Sequence, residues 1–242
     1  AMLLDPHTPF LELSTLAGYA MHDDDGEANV FGGSIIVGVG VVAGVRCVIN
    51  ASDSAIKGGT ISPMGLQKTL RAQTIALEQK LPLIDLVESG GANLTYQSEV
   101  YIPGGQSFRN MAQLSAAGIP HITVVHGSST AGGAYVPGLS DYVIMVRDRA
   151  RVFLAGPPLL KAATGEIATD EELGGAEMHS TVSGVSEYIA ENDADGIRIA
   201  REVIASLGWN ELAPARQTAP FDEPLYDPSE LRGVVTDDYT TP

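Results

Sequence analysis

Apolar and polar residues alternate along this chain in two ways, one typical of strands and one typical of helices. Residues 34–51 form a β-branched run, and a tight turn at Ala43-Gly44 within it predicts two antiparallel strands. Residues 64–80 carry apolar side chains at helical spacing on a polar background, so we predict a helix there. Pro82 ends this helix, and the apolar run 83–87 predicts the next strand.

The order of strand, glycine-rich loop and helix then occurs a second time. We predict a helix over residues 106–117, a strand over 119–126 and a short helix that opens at Gly132. Further elements are predicted downstream: strands over 142–146 and 151–154, and helices near 158–163, 170–173 and 194–207. Such alternation predicts an α/β fold of stacked ββα units.

The two ends of the chain lack this periodicity. Residues 1–30 contain two prolines and the acidic cluster 22–27, which predicts an N-terminal arm. After Trp209, four prolines fall close together among acidic residues, so residues 211–242 are predicted to be a linker or tail. One core domain is therefore expected over residues 31–210.

Composition restricts the class of partner and the compartment. The formal net charge of −16 excludes a general attraction to nucleic acid or to an anionic membrane surface. Cys47 is the one cysteine, so neither an internal disulfide nor a cysteine-based metal site is predicted. We expect a cytoplasmic protein, or a mitochondrial matrix protein in a eukaryote. No apolar run approaches the roughly 18 residues of a membrane span, and residues 1–6 lack the features of a signal peptide.

Two short patterns are similar to ligand sites without fitting them. Residues 38–43 match the glycine pattern of dinucleotide-binding loops, but they continue into an apolar strand-like run instead of the helix that a pyrophosphate needs. Residues 23–27 are similar to half of a calcium loop, but the spacing of the oxygen ligands fails. We interpret the first as hairpin glycines and the second as a solvated acidic surface.

A serine hydrolase is an open alternative. Residues 127–131 differ from the nucleophile elbow Gly-x-Ser-x-Gly only by Ala131 in the final position. A hydrolase would need a histidine with an acidic partner, and the sequence gives no order for such a triad. Our preferred interpretation is that Ser128 and Ser129 are loop hydroxyls that bond the neighbouring backbone.

Two glycine-rich segments carry the strongest chemical signal. Residues 89–92 and 130–134 each follow an apolar strand-like run and precede a helix. Glycines leave backbone N–H groups uncovered, and two such loops brought together can receive an oxyanion. The helix that opens at Gly132 adds the positive end of its dipole. The predicted catalytic donors are Gly91, Ala92, Gly132 and Gly133.

Longer motifs around these segments resemble the carboxyltransferase (β) subunits of biotin-dependent acyl-CoA carboxylases. They cover residues 87–92, 129–137 and 153–166, and shorter matches continue at 172–176 and 183–185. The resemblance spans nearly the whole chain and is closer to the methylcrotonyl-CoA and geranyl-CoA branch than to the propionyl-CoA branch. One departure follows Ala92, where many relatives place an arginine and this chain has Asn93.

The resemblance implies a crotonase-like (ClpP/crotonase) spiral of ββα units. It also implies that this domain holds acyl-CoA while biotin arrives on a partner carrier protein, and that a carboxyl group passes to the α or vinylogous γ carbon of the acyl group through an oxyanion-stabilised enolate. Implied partners are a biotin carboxylase or biotin carrier subunit and further copies of the chain in a hexameric β core. Family subunits carry two such domains in tandem, so we expect this chain to be the first of them and to be inactive alone.

Coenzyme A is anionic and this chain is acidic, so local cations must meet the ligand. We expect acyl-CoA contacts from basic residues and from residues beside the glycine loops: Lys57, Gly58, Gly59, Arg71, Ala131, Ala134, Tyr135 and Lys161. Two alternatives stay open. The chain could belong to the α subunit of a biotin-dependent acyl-CoA decarboxylase, which runs the transfer in reverse, or it could be a non-catalytic acyl-CoA-binding or assembly module.

Overall fold

A computed structural model describes residues 2–21, 31–212, 225–227 and 229–230. The acidic cluster 22–27 and most of the predicted linker 211–242 lie outside the described residues. Within them, eight strands form one mixed sheet. The strands are β1 (Leu11–Leu13), β2 (Ile35–Val42), β3 (Val45–Ser52), β4 (Leu83–Ser89), β5 (His121–Thr130), β6 (Tyr142–Val146), β7 (Arg151–Phe153) and β8 (Tyr188–Ala190).

Helices connect the strands. The α-helices of the described residues are α1 (Pro63–Gln79), α2 (Gln97–Ala116), α3 (Tyr135–Gly138), α4 (Pro157–Thr164), α5 (Asp170–Gly174), α6 (Ala176–Met178), α7 (Asp193–Ser206) and α8 (Trp209–Leu212). Short 3-10 helices occupy Phe31–Ser34, Lys57–Gly59, Leu94–Tyr96 and Ala131–Ala134, and a π-helical turn occupies His179–Ser183. None of the helices in the described part of the chain combines the length and the hydropathy needed to cross a bilayer.

The β2–β3 hairpin forms as the sequence predicts. The two strands pair antiparallel up to Val42 opposite Val45. Ala43 and Gly44 between them have φ values of 48° and 79°. Positive φ at both central residues is the geometry of a type I′ turn, whose twist matches that of the strands.

β1 also pairs antiparallel with β2, and the strand pairs from β3 onward are parallel. The sheet has a helix layer on each face. Along the sheet the order is β1-β2-β3-β4-β5-β6-β8, with β7 pairing with β5. Leu83 packs with α1 and α2, whereas its neighbour Ile84 packs with α7 on the other face. Because successive strand residues point to opposite faces, the continuous apolar run of β4 serves two cores. The predicted α/β class is confirmed.

Part of the segment predicted as an arm packs on the core. Leu3 is only 5% exposed, and β1 pairs antiparallel with β2. The Asp5 carboxylate accepts hydrogen bonds from the N–H groups of Ala43 (2.9 Å) and Gly44 (2.7 Å) and pairs with Arg201 (2.7 Å). The hairpin turn and α7 are thus joined through the start of the chain. The division at residue 30 stays a prediction.

The predicted start of α2 is wrong. The helix begins at Gln97 instead of residue 106, and Pro103, Gly104 and Gly105 lie inside it. Proline and glycine disfavour a helix interior by propensity, but packing against α1 outweighs them here. Val100 is buried in the early turns, and deeper in the interface the Gln73 side chain donates a hydrogen bond to Ser107 (2.9 Å).

Candidate oxyanion site

The two glycine-rich segments meet where β4 and β5 end. Val87 pairs with Val125, but Ser89 pairs with Ser129, so β5 carries extra residues over this stretch. A β-bulge of this kind re-aims the strand. At Gly91, whose φ is +85°, an added Cβ would lie 3.2 Å from the carbonyl oxygen of Thr130. The first loop therefore touches the second, and glycine is required at the contact.

The first loop offers a backbone donor that has no acceptor in the described part of the chain. The N–H of Gly90 donates to the Gly58 carbonyl (3.1 Å), and the N–H of Gly91 donates to Ser89 Oγ (3.1 Å). The N–H of Ala92 donates to no acceptor among the described residues. Gly91 thus supplies the conformation of the loop, and Ala92 is the better donor candidate.

The second loop offers a donor at Gly132. A 3-10 helix begins at Ala131, whose φ is 51°, so the N–H of Gly132 lies in its first turn, where no intrahelical acceptor exists. An added Cβ at Gly132 would have no atom within 4 Å. At Gly133 it would lie 3.1 Å from Ser89 Oγ. Gly132 therefore faces open space, whereas Gly133 is needed for packing.

A cavity of about 550 Å³ extends from these loops. Its floor comes from β3 and β4, its sides from α1 and α2, and one end from the second glycine loop. The ring centroids of Phe108 and Tyr135 lie 4.8 Å apart, where α2 meets α3 at the cavity wall. Most of the lining is apolar: Ile35, Ile61, Leu66, Val87, Ala92, Leu94, Val100, Phe108, Ala131 and Val136.

Several predicted site residues line this cavity or lie beside it. Ala92, Ala131, Gly132, Gly133 and Tyr135 line the cavity. The 3-10 helix Lys57–Gly59 contacts the first glycine loop: the Gly58 carbonyl accepts a hydrogen bond from the N–H of Gly90 (3.1 Å). A Cβ at Gly59 would collide with the backbone oxygen of Glu88.

Other predicted contacts are not brought to the cavity. Arg71 is exposed on α1, where Leu66 and Thr69 form the lining. Lys161 is exposed on α4, which contributes no lining residue. Ala134 is buried in a separate core cluster with Val125 and Val143.

The cavity wall formed by α2 and the polar floor of the cavity were not predicted from the sequence. α2 contributes Val100, Tyr101, Gly104, Ser107 and Phe108 to the cavity, but the predicted helix began only at residue 106. The floor includes Asn50 of β3 and Asp85 of β4. The alternation of Asp85, Val87 and Ser89 at every second position was a usable signal, because such residues share one face of a strand.

The hydrolase alternative needs a serine that is hydrogen-bonded to a histidine, and the described residues contain no such pair at Ser128 or Ser129. Ser128 is exposed, and fully buried Ser129 donates its hydroxyl to the Gly133 carbonyl (2.9 Å). His126 Nδ1 binds Asp193 Oδ1 (2.9 Å), and no described histidine is hydrogen-bonded to either serine. Cys47 offers no alternative nucleophile, because burial, with a smaller contribution from Asp5, raises the pKa of its thiol to about 12.

The fold and the site define a class: a crotonase-like domain with two glycine loops, a candidate oxyanion site, beside an apolar cavity. The chain belongs to the carboxyl transferase domain family, which matches residues 1–242. The family resemblance and the crotonase-like fold predicted from the motifs are confirmed.

Individual relatives agree with this assignment. The chain is 54% identical over 241 residues to the probable biotin-dependent acyl-coenzyme A carboxylase beta2 subunit of Mycobacterium tuberculosis, covering 100% of this chain and 44% of that protein. It is 49% identical over 239 residues to the mitochondrial methylcrotonoyl-CoA carboxylase beta chain of Dictyostelium discoideum (98% and 40% covered). The crystal structure of the P. aeruginosa geranyl-CoA carboxylase beta subunit superposes with a TM-score of 0.85 at 60% identity (100% and 44% covered). The chain thus spans less than half of these relatives.

Proposed function

We propose that this chain is the acyl-CoA-binding half of a carboxyltransferase. The transfer takes a carboxyl group from carboxybiotin to the α or vinylogous γ carbon of an acyl-CoA through an enolate. The observation that supports this most directly is the corner between Ala92 and Gly132, where two backbone N–H groups that have no acceptor among the described residues lie at the edge of an apolar cavity.

An enolate fits this corner because its negative charge develops on the thioester oxygen. Preorganised N–H donors stabilise such an oxyanion, and each donor is typically worth about 10²–10³ in rate. Gly132 also lies in the first helical turn, at the positive end of the helix dipole. The apolar walls exclude water from the enolate and strengthen these hydrogen bonds.

Biotin on a partner protein fits the open side of the site. At Gly132 no atom lies within 4 Å of an added Cβ, which leaves room for a second reactant beside the oxyanion. Carboxybiotin would supply the activated carboxyl group there. Asp85 is the carboxylate among the described cavity-lining residues, and it lies four residues along β4 from Ser89, a separation of about 13 Å in a strand. A proton acceptor for the substrate carbon must therefore come from outside these side chains.

The cavity favours a bulky apolar acyl group. Its volume of about 550 Å³ is larger than an acetyl group requires, and its lining is aliphatic and aromatic. Branched and terpenoid acyl groups fill such a space, and burying each added CH₂ contributes about 0.8 kcal/mol. We propose that the substrate belongs to this class.

The phosphates of coenzyme A are anionic and lie at the other end of the pantetheine arm from the thioester, so they need a cation outside the acyl cavity. Lys57 directly precedes Gly58, whose carbonyl accepts the N–H of Gly90 in the first loop. We propose Lys57 as a contact for the coenzyme, whereas Arg71 and Lys161 lie away from the cavity. On the family resemblance we also propose a biotin carrier partner and a homo-oligomer with a hexameric core.

Calorimetric titration with acetyl-CoA and with branched and terpenoid acyl-CoAs tests the proposal. We expect binding that strengthens with the size of the acyl group, because this chain alone forms the apolar cavity that the acyl group would fill. Absence of heat and of competition at millimolar ligand would contradict acyl-CoA binding by this chain.

Turnover is tested separately in the full-length protein with its biotinylated partner. We expect carboxylation there and none from the 242-residue chain alone. Net decarboxylation without carboxylation would favour the decarboxylase alternative, and binding without any transfer would favour a silent module.

A further inference from the structure

A buried polar cluster connects the floor of the cavity to α3, the short helix that follows the second glycine loop. His121 begins β5 and is 2% exposed, and its Nε2 lies 2.5 Å from Asp85 Oδ2. His121 Nδ1 lies 3.3 Å from Ser140 Oγ, and Ser140 Oγ donates to the carbonyl of Val136 in α3 (2.7 Å). Asp85 and Val136 both line the cavity. The cluster therefore crosses from one cavity wall to another.

Proton counting shows how the cluster holds α3. Ser140 has one hydroxyl proton, and the Val136 carbonyl can only accept it. The hydroxyl of Thr123, 2.7 Å away, then donates to Ser140, as does Nδ1–H of His121. With Nδ1 donating, the close approach of Nε2 to Asp85 Oδ2 requires a second proton between those two atoms. Asp85 thereby fixes His121, and His121 fixes Ser140.

The segment that needs this support is short. Residues 131–138 contain a single 3-10 turn and a four-residue α-helix, neither of which has a side-chain N-cap. Ser129 anchors the beginning of the segment through the Gly133 carbonyl (2.9 Å). Ser140 anchors its end through the Val136 carbonyl (2.7 Å). Gly132 directly precedes the first anchored residue, Gly133, and lies between Ser129 and Ser140 along the chain.

We propose that His121 and Ser140 are positioning residues that fix Gly132 over the cavity. The inference rests on the proposed function, since it assigns a role in oxyanion stabilisation. Neither residue touches the reacting atoms. Their effect is geometric, and a misplacement of about 1 Å at a reacting centre can cost on the order of 10²-fold in rate.

Ser140→Ala is the deciding variant, because it removes the anchor and leaves the Asp85–His121 pair intact. Ser186→Ala is its matched control, since Ser186 is also internal and its single hydroxyl proton also faces backbone carbonyls, those of Val143 (3.2 Å) and Tyr188 (2.9 Å). Both variants are to be compared in the full-length protein with its biotinylated partner. We expect Ser140→Ala to lower kcat about tenfold while KM for acyl-CoA and Tm change no more than in Ser186→Ala. An unchanged kcat, an equal loss in the control, or an effect on KM alone would overturn the proposal.

His121 is tested by a conservative exchange. Gln offers one donor and one acceptor at a spacing similar to that of the imidazole nitrogens, so His121→Gln should retain kcat within about threefold of wild type. His121→Leu leaves Asp85 without its partner and is expected to behave like Ser140→Ala or worse. Equal kcat values for folded Gln and Leu variants would contradict the role assigned to His121.

Amide hydrogen exchange separates this inference from the proposed function. Exchange of residues 131–138 should be faster in Ser140→Ala than in wild type and unchanged in Ser186→Ala. That result would support the anchor even if wild-type protein transferred no carboxyl group, in which case only the proposed function fails. Equal exchange in both variants would refute the anchor whatever the kinetics show.

Discussion

Ser89 and Ser129 lie opposite each other where β4 and β5 end, and each side chain binds the glycine loop that follows its own strand. Ser89 Oγ accepts the N–H of Gly91 (3.1 Å), and Ser129 Oγ donates to the Gly133 carbonyl (2.9 Å). An added Cβ at Gly133 would lie 3.1 Å from Ser89 Oγ, so the two loops are packed together through this serine pair. The pair joins the two loops that contain Ala92 and Gly132, and both of these residues line the cavity.

Gly132→Val is expected to abolish carboxyl transfer without unfolding the protein. The added side chain would enter open space at the cavity, where it crowds the oxyanion, and it meets no positive φ. We expect kcat to fall by about 10²–10³ and Tm to stay near wild type.

Gly133→Val serves as the contrast to that variant. It would press on Ser89 Oγ, so its main effect should be a lower Tm. Activity of Gly132→Val within a few fold of wild type would remove Gly132 from the mechanism.

Gly104→Leu is expected to shift acyl preference toward short chains. Gly104 lines the cavity and has no atom within 4 Å of an added Cβ, so the new side chain would occupy acyl space. We expect kcat/KM for terpenoid acyl-CoA to fall at least about tenfold relative to that for a short acyl-CoA.

Gly105→Leu is the matched control for this shift. Gly105 is the next residue of α2 and is exposed, and it does not line the cavity. Its substitution should leave the ratio of the two kcat/KM values unchanged. Equal shifts in both variants would point to altered helix stability instead of a filled cavity.

A serine-directed fluorophosphonate probe is expected not to label this protein. Ser129 is buried and bonded to a carbonyl, and exposed Ser128 has no histidine bonded to it. Ser128→Ala should keep carboxyl transfer within about twofold, whereas Ser129→Ala should lose about 1 kcal/mol of unfolding free energy with its hydrogen bond. Labelling that disappears in either variant would restore the hydrolase alternative.

Asp5→Ala is expected to destabilise the fold in a pH-dependent manner. Burial opposes ionisation of Asp5, but the N–H donors of Gly44 and Ala43 and the Arg201 guanidinium outweigh it and hold the pKa below its ordinary value of 3.8. Hydrogen bonds to a charged group are worth roughly 1.5–3 kcal/mol, so the loss near neutral pH should be about 2 kcal/mol.

The sign of the pH effect follows from the lowered pKa. The contribution of Asp5 is complete above 3.8 and is lost as the pH falls through the folded-state pKa below that value. The difference between wild type and Asp5→Ala in urea unfolding should therefore shrink on acidification. Exposed Glu78 provides the control, and a Glu78→Ala variant with the same loss would contradict the contacts assigned to Asp5.

The sequence by itself determined the elements whose local signals agree with the fold. The Ala43-Gly44 turn, the helix α1 and the apolar runs of β4, β5 and β6 were all predictable, because hairpin turns and amphipathic periodicity act over a few residues. It also identified the two glycine segments, because both of them follow an apolar strand-like run and precede a helix. The family followed from the same segments and their flanking motifs.

Only the tertiary structure decided which role each glycine has and which residues enclose the cavity. The pairing of Ser89 with Ser129 made Gly91 a conformational residue and left Gly132 open. Packing on α1 kept Pro103, Gly104 and Gly105 helical against their propensity, and so created the α2 wall. The tertiary structure also placed Arg71 and Lys161 on exposed helix faces away from the cavity lining, because the position of a cation depends on which face of its helix is buried. Such choices depend on contacts between residues far apart in the chain, which no local pattern records.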